Sequence, residues 1–561
     1  MTHHGTYAPP APQWTAPDDT TRYLCAAAHL DPGYANAALK EYLVEPTRAV
    51  PPSPGVDAAK VLGEAVQARV RSKLFDGLAF LAMLVFVVVS WGTVLLIGWI
   101  VLALVVAAVD FVRRAAQDGP KISPRLVVGL LAVALVLFVF ETELTTALGD
   151  GSPASGATSR TADDDTVQIL VGLLMALAGL GVLVFQRWST WHLLVSKFSR
   201  GARDTGRASG AELSGGFYDG QVQRYQRPAP GGDAAPLVVY RGYNPFVGSG
   251  AVRDPWSMAI PLERLREGKR DGAGPLSTAS VYDGIRRAIE ELREASELSP
   301  DNRFRELRVG GTVFVPAAEL VDHFHTPQAV PYLPDPDAPP NGYLDREELD
   351  RVRLAPREWA RYYLCAQVET WDRDLVLTFY LHVAVCDSTL YLEWTPCVLT
   401  PLRPEYRALD QMRAGSFTPV KQALLDWLKL PATMPARVWN LCSWIPRPKR
   451  EAGVLDPERY GASKSLRELA AGSLSGYFQL LDVERYDKIL DSRILPTISR
   501  MLRAAGYSAA TFEQQASVVV NNGVNIHGPN NAPIVQSGRN DGSIWARGGE
   551  KPGESKNGGN R

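Results

Sequence analysis

Between Asp76 and Asp110 the chain runs for 33 residues without a charged side chain, GLAFLAMLVFVVVSWGTVLLIGWIVLALVVAAV. As one straight helix this stretch would reach roughly 50 Å, well beyond the about 30 Å of a bilayer's hydrocarbon core. Two readings fit it. One is a single tilted helix. The other is a hairpin of two helices turning at Ser90-Trp91-Gly92-Thr93, where glycine permits a turn and tryptophan suits an interface. The flanking charge favours the hairpin. Arg69, Arg71 and Lys73 precede the stretch, and Arg113, Arg114, Lys121 and Arg125 follow it. Basic flanks mark the cytoplasmic side, so two basic flanks call for an even number of crossings.

Two further apolar runs follow. Leu126–Phe140 becomes long enough to cross if Leu144–Leu148 are included, with Glu141 and Glu143 near the outer headgroups. The acidic loop Gly149–Asp165, with Arg160 as its one basic residue, fits the outside. Thr166–Phe185 is a clean apolar span, followed by Trp188, Trp191, Arg187, Lys197, Arg200, Arg203 and Arg207 on the cytoplasmic side. The expectation is therefore a membrane region over 69–195 with four spans, at about 74–90, 93–112, 126–147 and 166–186, and both termini in the cytoplasm. No ionisable group lies at the apolar centre of a span, which argues against a pump or transporter. Gly172, Ala176 and Gly179 form a small-residue face that would allow close helix packing, although generic membrane-helix composition reads the same way.

Outside this region the chain reads as soluble protein. Its length of 561 residues allows two or three domains, and a net charge of −1 gives no overall attraction to nucleic acid. Five cysteines with no CxxC pair suggest reduced thiols in a cytosolic setting. Residues 1–68 read as a Pro-rich cytoplasmic arm and two short helices, Asp31-Pro32 opening the second. An amphipathic lead-in, Val56–Lys73, continues into the membrane. A linker over 196–215 leads to an α+β domain over 216–410, with strand signals at Val238–Tyr240, Leu307–Val315 and, most strongly, an antiparallel meander over Trp359–Leu399. Ser280–Ser299 reads as an amphipathic helix. Residues 411–515 read as helical, with helices at Val420–Lys429, from Asp456-Pro457, at Ser463–Ala471 and at Val483–Ala505. Residues 516–561 read as an Asn/Gly-rich tail in which Val518–Asn522 and Ile534–Ser537 are β-prone.

Chemistry is sparse. There is no phosphate-binding GxxxxGK[ST] loop and no GxSxG elbow. Gly248-Ser249-Gly250 reads as a turn. His323 and His325 beside Asp322 form an HxH that could ligate a metal on a strand, but no Cys/His cluster accompanies it, and an ordinary surface pair is the simpler reading. No catalytic, cofactor or metal site is expected, and no cofactor. One segment invites a membrane-surface role: Arg437, Trp439, Trp444, Arg447, Lys449 and Arg450 combine bulky aromatics with positive charge and could lie on an anionic leaflet. A basic inter-helix loop with core tryptophans is the competing reading.

Within the tail, NIHGPNNAPIVQSGRNDGSI resembles short bacterial amyloid signalling motifs, in which an HGP-like element precedes a VQAG-like core. The matching positions are His527, Gly528, Pro529, Val535, Gln536 and Gly538. Asn530 and Asn531 interrupt that pattern and Ser537 replaces its usual alanine, so a flexible Asn/Gly tail is the alternative. The resemblance implies templated assembly between a receptor and an effector. More broadly, LVVYRGYNPFVGSG (237–250), RYYLCAQVETW and SLRELAAGSLSGYFQLLDVERYDKIL (465–490) look like a family of actinobacterial multi-pass membrane proteins. Such bacteria carry cytoplasmic contractile injection systems that depend on a membrane protein of this general layout. No residue carries over from that likeness.

The expected role is thus a scaffold in the cytoplasmic membrane, itself a candidate homo-oligomer, that docks a cytosolic assembly such as an injection particle. The alternatives are a cell-death effector triggered through the tail and a membrane-tethered enzyme.

Overall fold

The structure is a computed structural model that describes residues 19–90, 96, 98–106, 108, 162–200, 222, 235–265, 276–443, 455–474 and 476–522. Its centre is a sheet of β1 (Ala235–Tyr240), β2 (Ala251–Val252), β3 (Trp256–Pro261), β4 (Arg308–Pro316), β5 (Tyr343–Leu344), β6 (Arg361–Thr370), β7 (Leu375–Val385) and β8 (Thr389–Leu399). The order across the sheet is β2-β8-β7-β6-β4-β1-β5, with β3 also paired to β8. Every pairing is antiparallel except β1 with β4. The expected meander is β6–β8. Nearly the whole of β7 is buried on both faces, as an apolar strand at the middle of a covered sheet must be.

The β6–β7 reversal places Trp371, Asp372 and Arg373 at φ of 55°, 52° and 64°, a conformation that disfavours L-residues. Arg467, fully buried, holds this turn by donating to the carbonyls of Arg373 and Asp374. Trp371 adds an indole bond to Asp482 at 2.9 Å.

The helices follow their capping signals. Between α1 (Asp19–Leu30) and α2 (Pro32–Tyr42), the Asp31 side chain accepts from the Gly33 N–H, with Pro32 opening α2. Helix α3 (Ala58–Val89) starts at Asp57, which accepts from the Lys60 N–H, and runs unbroken through the expected lead-in and first span. Helix α4 (Ala162–Leu193) passes into a π-turn at Leu194–Phe198. Helix α5 (Thr278–Glu290) begins with a reciprocal Ser277–Ser280 cap, and α6 (Arg346–Leu354) is capped by Asp345. Then come α7 (Thr418–Leu428), α8 (Leu430–Cys442), α9 (Tyr477–Ala504) and α10 (Ala510–Asn522).

One sheet face is covered by α5 and α9. Ile285 and Ile289 from the first and Tyr486, Leu490, Ile494 and Ile498 from the second share a core with Leu364, Phe379 and Trp394. Helix α9, from the expected 411–515 helical region, thus shares a core with the sheet. A second core joins α1, α2 and the first half of α3 to Leu194, Phe198, Leu402, Tyr406, Leu409 and Leu466. Inside it Glu64 accepts from Lys197 at 2.5 Å and lies 3.0 Å from His29 Nε2, tying α1, α3 and the π-turn together.

Several expectations change. Val518–Asn522, read as β-prone, ends helix α10, because Phe512 and Ala516 of the same segment pack into the sheet core. The helices expected from Asp456 and over Ser463–Ala471 shrink to single turns, Pro457–Tyr460 and Leu466–Leu469. His323 and His325 follow the short helix Ala317–Asp322 rather than lying on a strand, and His323 stacks on Trp359.

Among the described residues two helical segments are long and apolar enough to cross a membrane, Ala58–Val89 and Leu170–Phe198, so the count of four is not carried by the structure. The span expected at 126–147 lies outside the described residues. The 93–112 span is described only in part.

Candidate membrane-anchoring site

Helix α3 changes environment midway. Val61, Leu62 and Ala65 are fully buried in the second core, whereas Leu74, Leu81, Leu84 and Val88 are exposed. In α4, Leu170, Leu174, Leu177 and Phe185 are exposed likewise. Only 28% and 22% of the most apolar windows of these two segments are buried against protein. Leucine-rich faces of this size are stable next to hydrocarbon and costly next to water. Where α3 and α4 do touch, small residues let them approach: a Cβ on Gly179 would lie 3.9 Å from the Ala82 methyl.

Trp99 lies against Phe86 with ring centroids 4.8 Å apart, whereas a continuous helix would separate residues 86 and 99 by about 20 Å. Residues 98–106 are helical.

Sequence reasoning missed the element that packs into this apolar pair. Helices α7 and α8 form a wedge lying along α4 and α3, with Ala423 and Leu430 in one cluster with Ala79, Met83, Phe86, Trp99 and Ala176. At its tip the Trp427 indole donates to the Ala176 carbonyl at 2.7 Å, and Trp99 donates to the Trp427 carbonyl at 3.3 Å. Ala176 is about 16 Å along the helix from Arg187, so the wedge follows α4 to the middle of its apolar length. Val420, Leu424 and Leu425 leave an apolar edge exposed on α7, continued by Phe417 just before it.

At the wedge's base the contacts turn ionic. Arg437 Nη1 is 2.7 Å from Asp76 Oδ1, and Asn440 donates to Asp76 Oδ2 at 2.6 Å. Arg187 Nε donates to Asp426 at 2.7 Å, and Trp191 donates to the Arg413 carbonyl at 2.8 Å. Lys73 and Arg69 both donate to the Ser443 carbonyl at 2.9 Å. Asp76 had served in the sequence only as the edge of an uncharged run. Its half-buried partner Arg437 offered no signal of pairing because the two lie 361 positions apart.

Of the residues expected to touch a membrane surface, Arg437 is thus held in an ion pair, while Trp439 is 77% exposed on α8. Trp444, Arg447, Lys449 and Arg450 lie outside the described residues. So do His527, Gly528, Pro529, Val535, Gln536 and Gly538 of the tail motif.

Two other polar features stand apart from this site. Gly248-Ser249-Gly250 is a turn, as expected, and it wraps a buried carboxylate. Glu468 Oε1 accepts from the N–H groups of Gly248 and Gly250, both at 3.0 Å, and Oε2 accepts from Ser465 at 2.6 Å. Burial nevertheless holds this carboxyl above its ordinary range. On α9, burial pushes Asp487 up to about 6 and Asp491 to about 7, the latter further raised by the Asp487 charge one turn away. Both lie near the stacked pair Trp256–Trp394. No group of three or more potential metal ligands occurs among the described residues.

Fold and site together define a mixed α/β domain with an antiparallel-rich sheet, attached to two helices apolar enough to cross a membrane. The family model of the AbeC-like domain matches residues 255–535, half of the chain, and the chain belongs to that family. The match takes in β3–β8 and α5–α10, so the α7–α8 wedge lies within the family domain while α3 and α4 precede it. No curated protein and no solved structure matches the chain.

Proposed function

We propose that this protein is a membrane-anchored docking platform: α3, α4 and the hairpin after Ser90 sit in the cytoplasmic membrane, and the sheet domain captures a cytosolic protein assembly there. The observation that carries the reading is the pair of uncovered apolar faces on α3 and α4, against which α7 and α8 of the family domain pack. A mere tether would need no such wedge. The Phe86–Trp99 contact favours a hairpin; counting the span expected at 126–147, the proposed topology has four crossings and both termini inside. The contractile injection particle as the docked assembly rests on the sequence likeness alone.

Two measurements test this. Alkaline extraction of membranes should leave the full-length protein in the pellet. Imaging of tagged cytosolic assemblies should then show one that leaves the membrane when the gene is deleted and returns on complementation. Recovery in the soluble fraction removes the anchoring, and unchanged localisation of every assembly removes the docking. The tail-triggered effector is a separate proposal, and it requires that loss of residues 517–561 abolish toxicity.

A further inference from the structure

At the foot of α3 and α4, where their exposed apolar faces begin, α2 and α8 close a cleft of about 840 Å³. Four guanidinium groups line it, from Arg69, Arg71, Arg187 and Arg437, against the carboxylates of Asp76 and Asp426. Each carboxylate is already engaged, Asp76 by Arg437 and Asp426 by Arg187. Arg69 donates to neutral acceptors, the Ser443 carbonyl and the Asn36 side chain. Arg71 is the least compensated. It is half-buried, donates from Nη2 to Ser189 Oγ at 2.5 Å, and its Nε has no partner among the described residues. A partly desolvated cation left with a hydroxyl is costly unless an anion joins it.

We infer that this cleft binds the phosphate of an anionic phospholipid headgroup, with Arg71 as the principal ligand. The inference rests on the membrane reading above and adds a ligand class to it. A guanidinium presents parallel N–H groups that match phosphate oxygens. The neighbouring chemistry identifies the source as lipid. Leu74 and Leu78 follow Arg71 on the same face of α3 and are exposed, as are Phe185 and Trp188 on α4, so a phosphate at Arg71 has hydrocarbon surface beside it for acyl chains. Arg71 also lies over the Phe75 ring, itself 6.0 Å from Phe185, which keeps the cation at the boundary between polar cleft and apolar face.

The test uses the full-length protein in detergent and follows its thermal unfolding with added phosphatidylglycerol, phosphatidylcholine or inorganic phosphate. Phosphatidylglycerol should raise the midpoint of the wild type more than phosphatidylcholine does, and Arg71→Gln should weaken the apparent affinity for it about tenfold, the loss of one charge-assisted fork. Arg253→Gln, remote from the cleft, should bind as the wild type does. Should Arg71→Gln not fold, Arg71→Lys carries the comparison, keeping charge but losing the fork, with a smaller loss expected. Equal responses to the two lipids overturn the inference, as does an Arg71 variant that binds like the wild type. Inorganic phosphate acting as well as phosphatidylglycerol overturns the lipid source. A protein absent from the membrane fraction defeats the anchoring itself, so the two failures are told apart.

Discussion

Asp487 and Asp491 sit one helical turn apart on α9, and their folded-state values, about 6 and about 7, lie above that of an unfolded aspartate. Arg253 and Lys488 pull Asp487 down and Asp254 pushes it up, but burial outweighs them. The folded chain therefore keeps these protons over a pH range where the unfolded chain has released them. Stability from this pair is greatest near pH 4 and declines as pH rises to about 7, where the folded state must ionise both. Asp491→Asn should accordingly raise stability at pH 8 by on the order of 2 kcal/mol, a gain that vanishes near pH 4. Denaturant titrations at the two pH values check it, and an equal effect at both would show that charge is not the cause. At Gly250 the argument is steric. Its φ is +85°, and a Cβ there would lie 2.2 Å from the Val398 carbonyl oxygen, which belongs to the sheet and cannot yield. Gly250→Ala should cost about 3 kcal/mol or more, through strain and a displaced Glu468. Gly242→Ala, also at positive φ but with open space around the added methyl, should cost about 1–2 kcal/mol. Thermal unfolding of the two variants separates clash from backbone conformation.

At the scale of elements, the wedge of α7 and α8 is held by polar bonds placed on apolar helices. Asp76 is almost fully buried, so removing Arg437 leaves an uncompensated charge among apolar helices. Arg437→Met should destabilise by about 3 kcal/mol, and the double change Asp76→Leu, Arg437→Met should recover much of that loss, since the pair's attraction mainly offsets its own desolvation. A double-mutant cycle in detergent checks this, and additive losses would refute the pairing. The wedge also has a depth. If it follows α4 into the bilayer, a cysteine at Leu425 should resist a water-soluble maleimide while one at Ser416 reacts, in a background lacking the exposed Cys386 and Cys442. Equal labelling would set the wedge in water. The helix periods of α7 and α8 were partly readable, since Val420–Lys429 was expected to be helical. Their destination was not. Pro435 within α8 and the polar Lys421 and Asp426 of α7 disguised segments whose apolar sides meet the apolar helices α3 and α4.

For the whole molecule, legibility followed the range of the interactions. The apolar run after Asp76, its basic flanks, the β6–β8 meander and the Asp31 and Asp57 caps are local facts, set by composition, alternation and hydrogen bonds a few residues long. They sufficed for an antiparallel-rich mixed domain joined to apolar helices. The tail offers the contrary case nearby: Val518–Asn522 has β-branched residues, yet Phe512 and Ala516 dock on the sheet and the segment completes a helix. Tertiary burial overrode local propensity there. The candidate site was scarcely visible beforehand, because it joins Arg71 to Ser189, Asp76 to Arg437 and Trp427 to Ala176 across 118, 361 and 251 positions. The sequence by itself determined which segments shun water and where short-range bonds begin and end them. Only the tertiary structure decided that α9 shares the sheet's core, that α7 and α8 lie along the apolar helices, and that Arg71 at their foot faces a cleft with only a hydroxyl as its hydrogen-bond partner among the described residues. Hydrophobicity and capping act between neighbours in sequence, whereas burial and ion pairing depend on which distant segments the packed chain brings together.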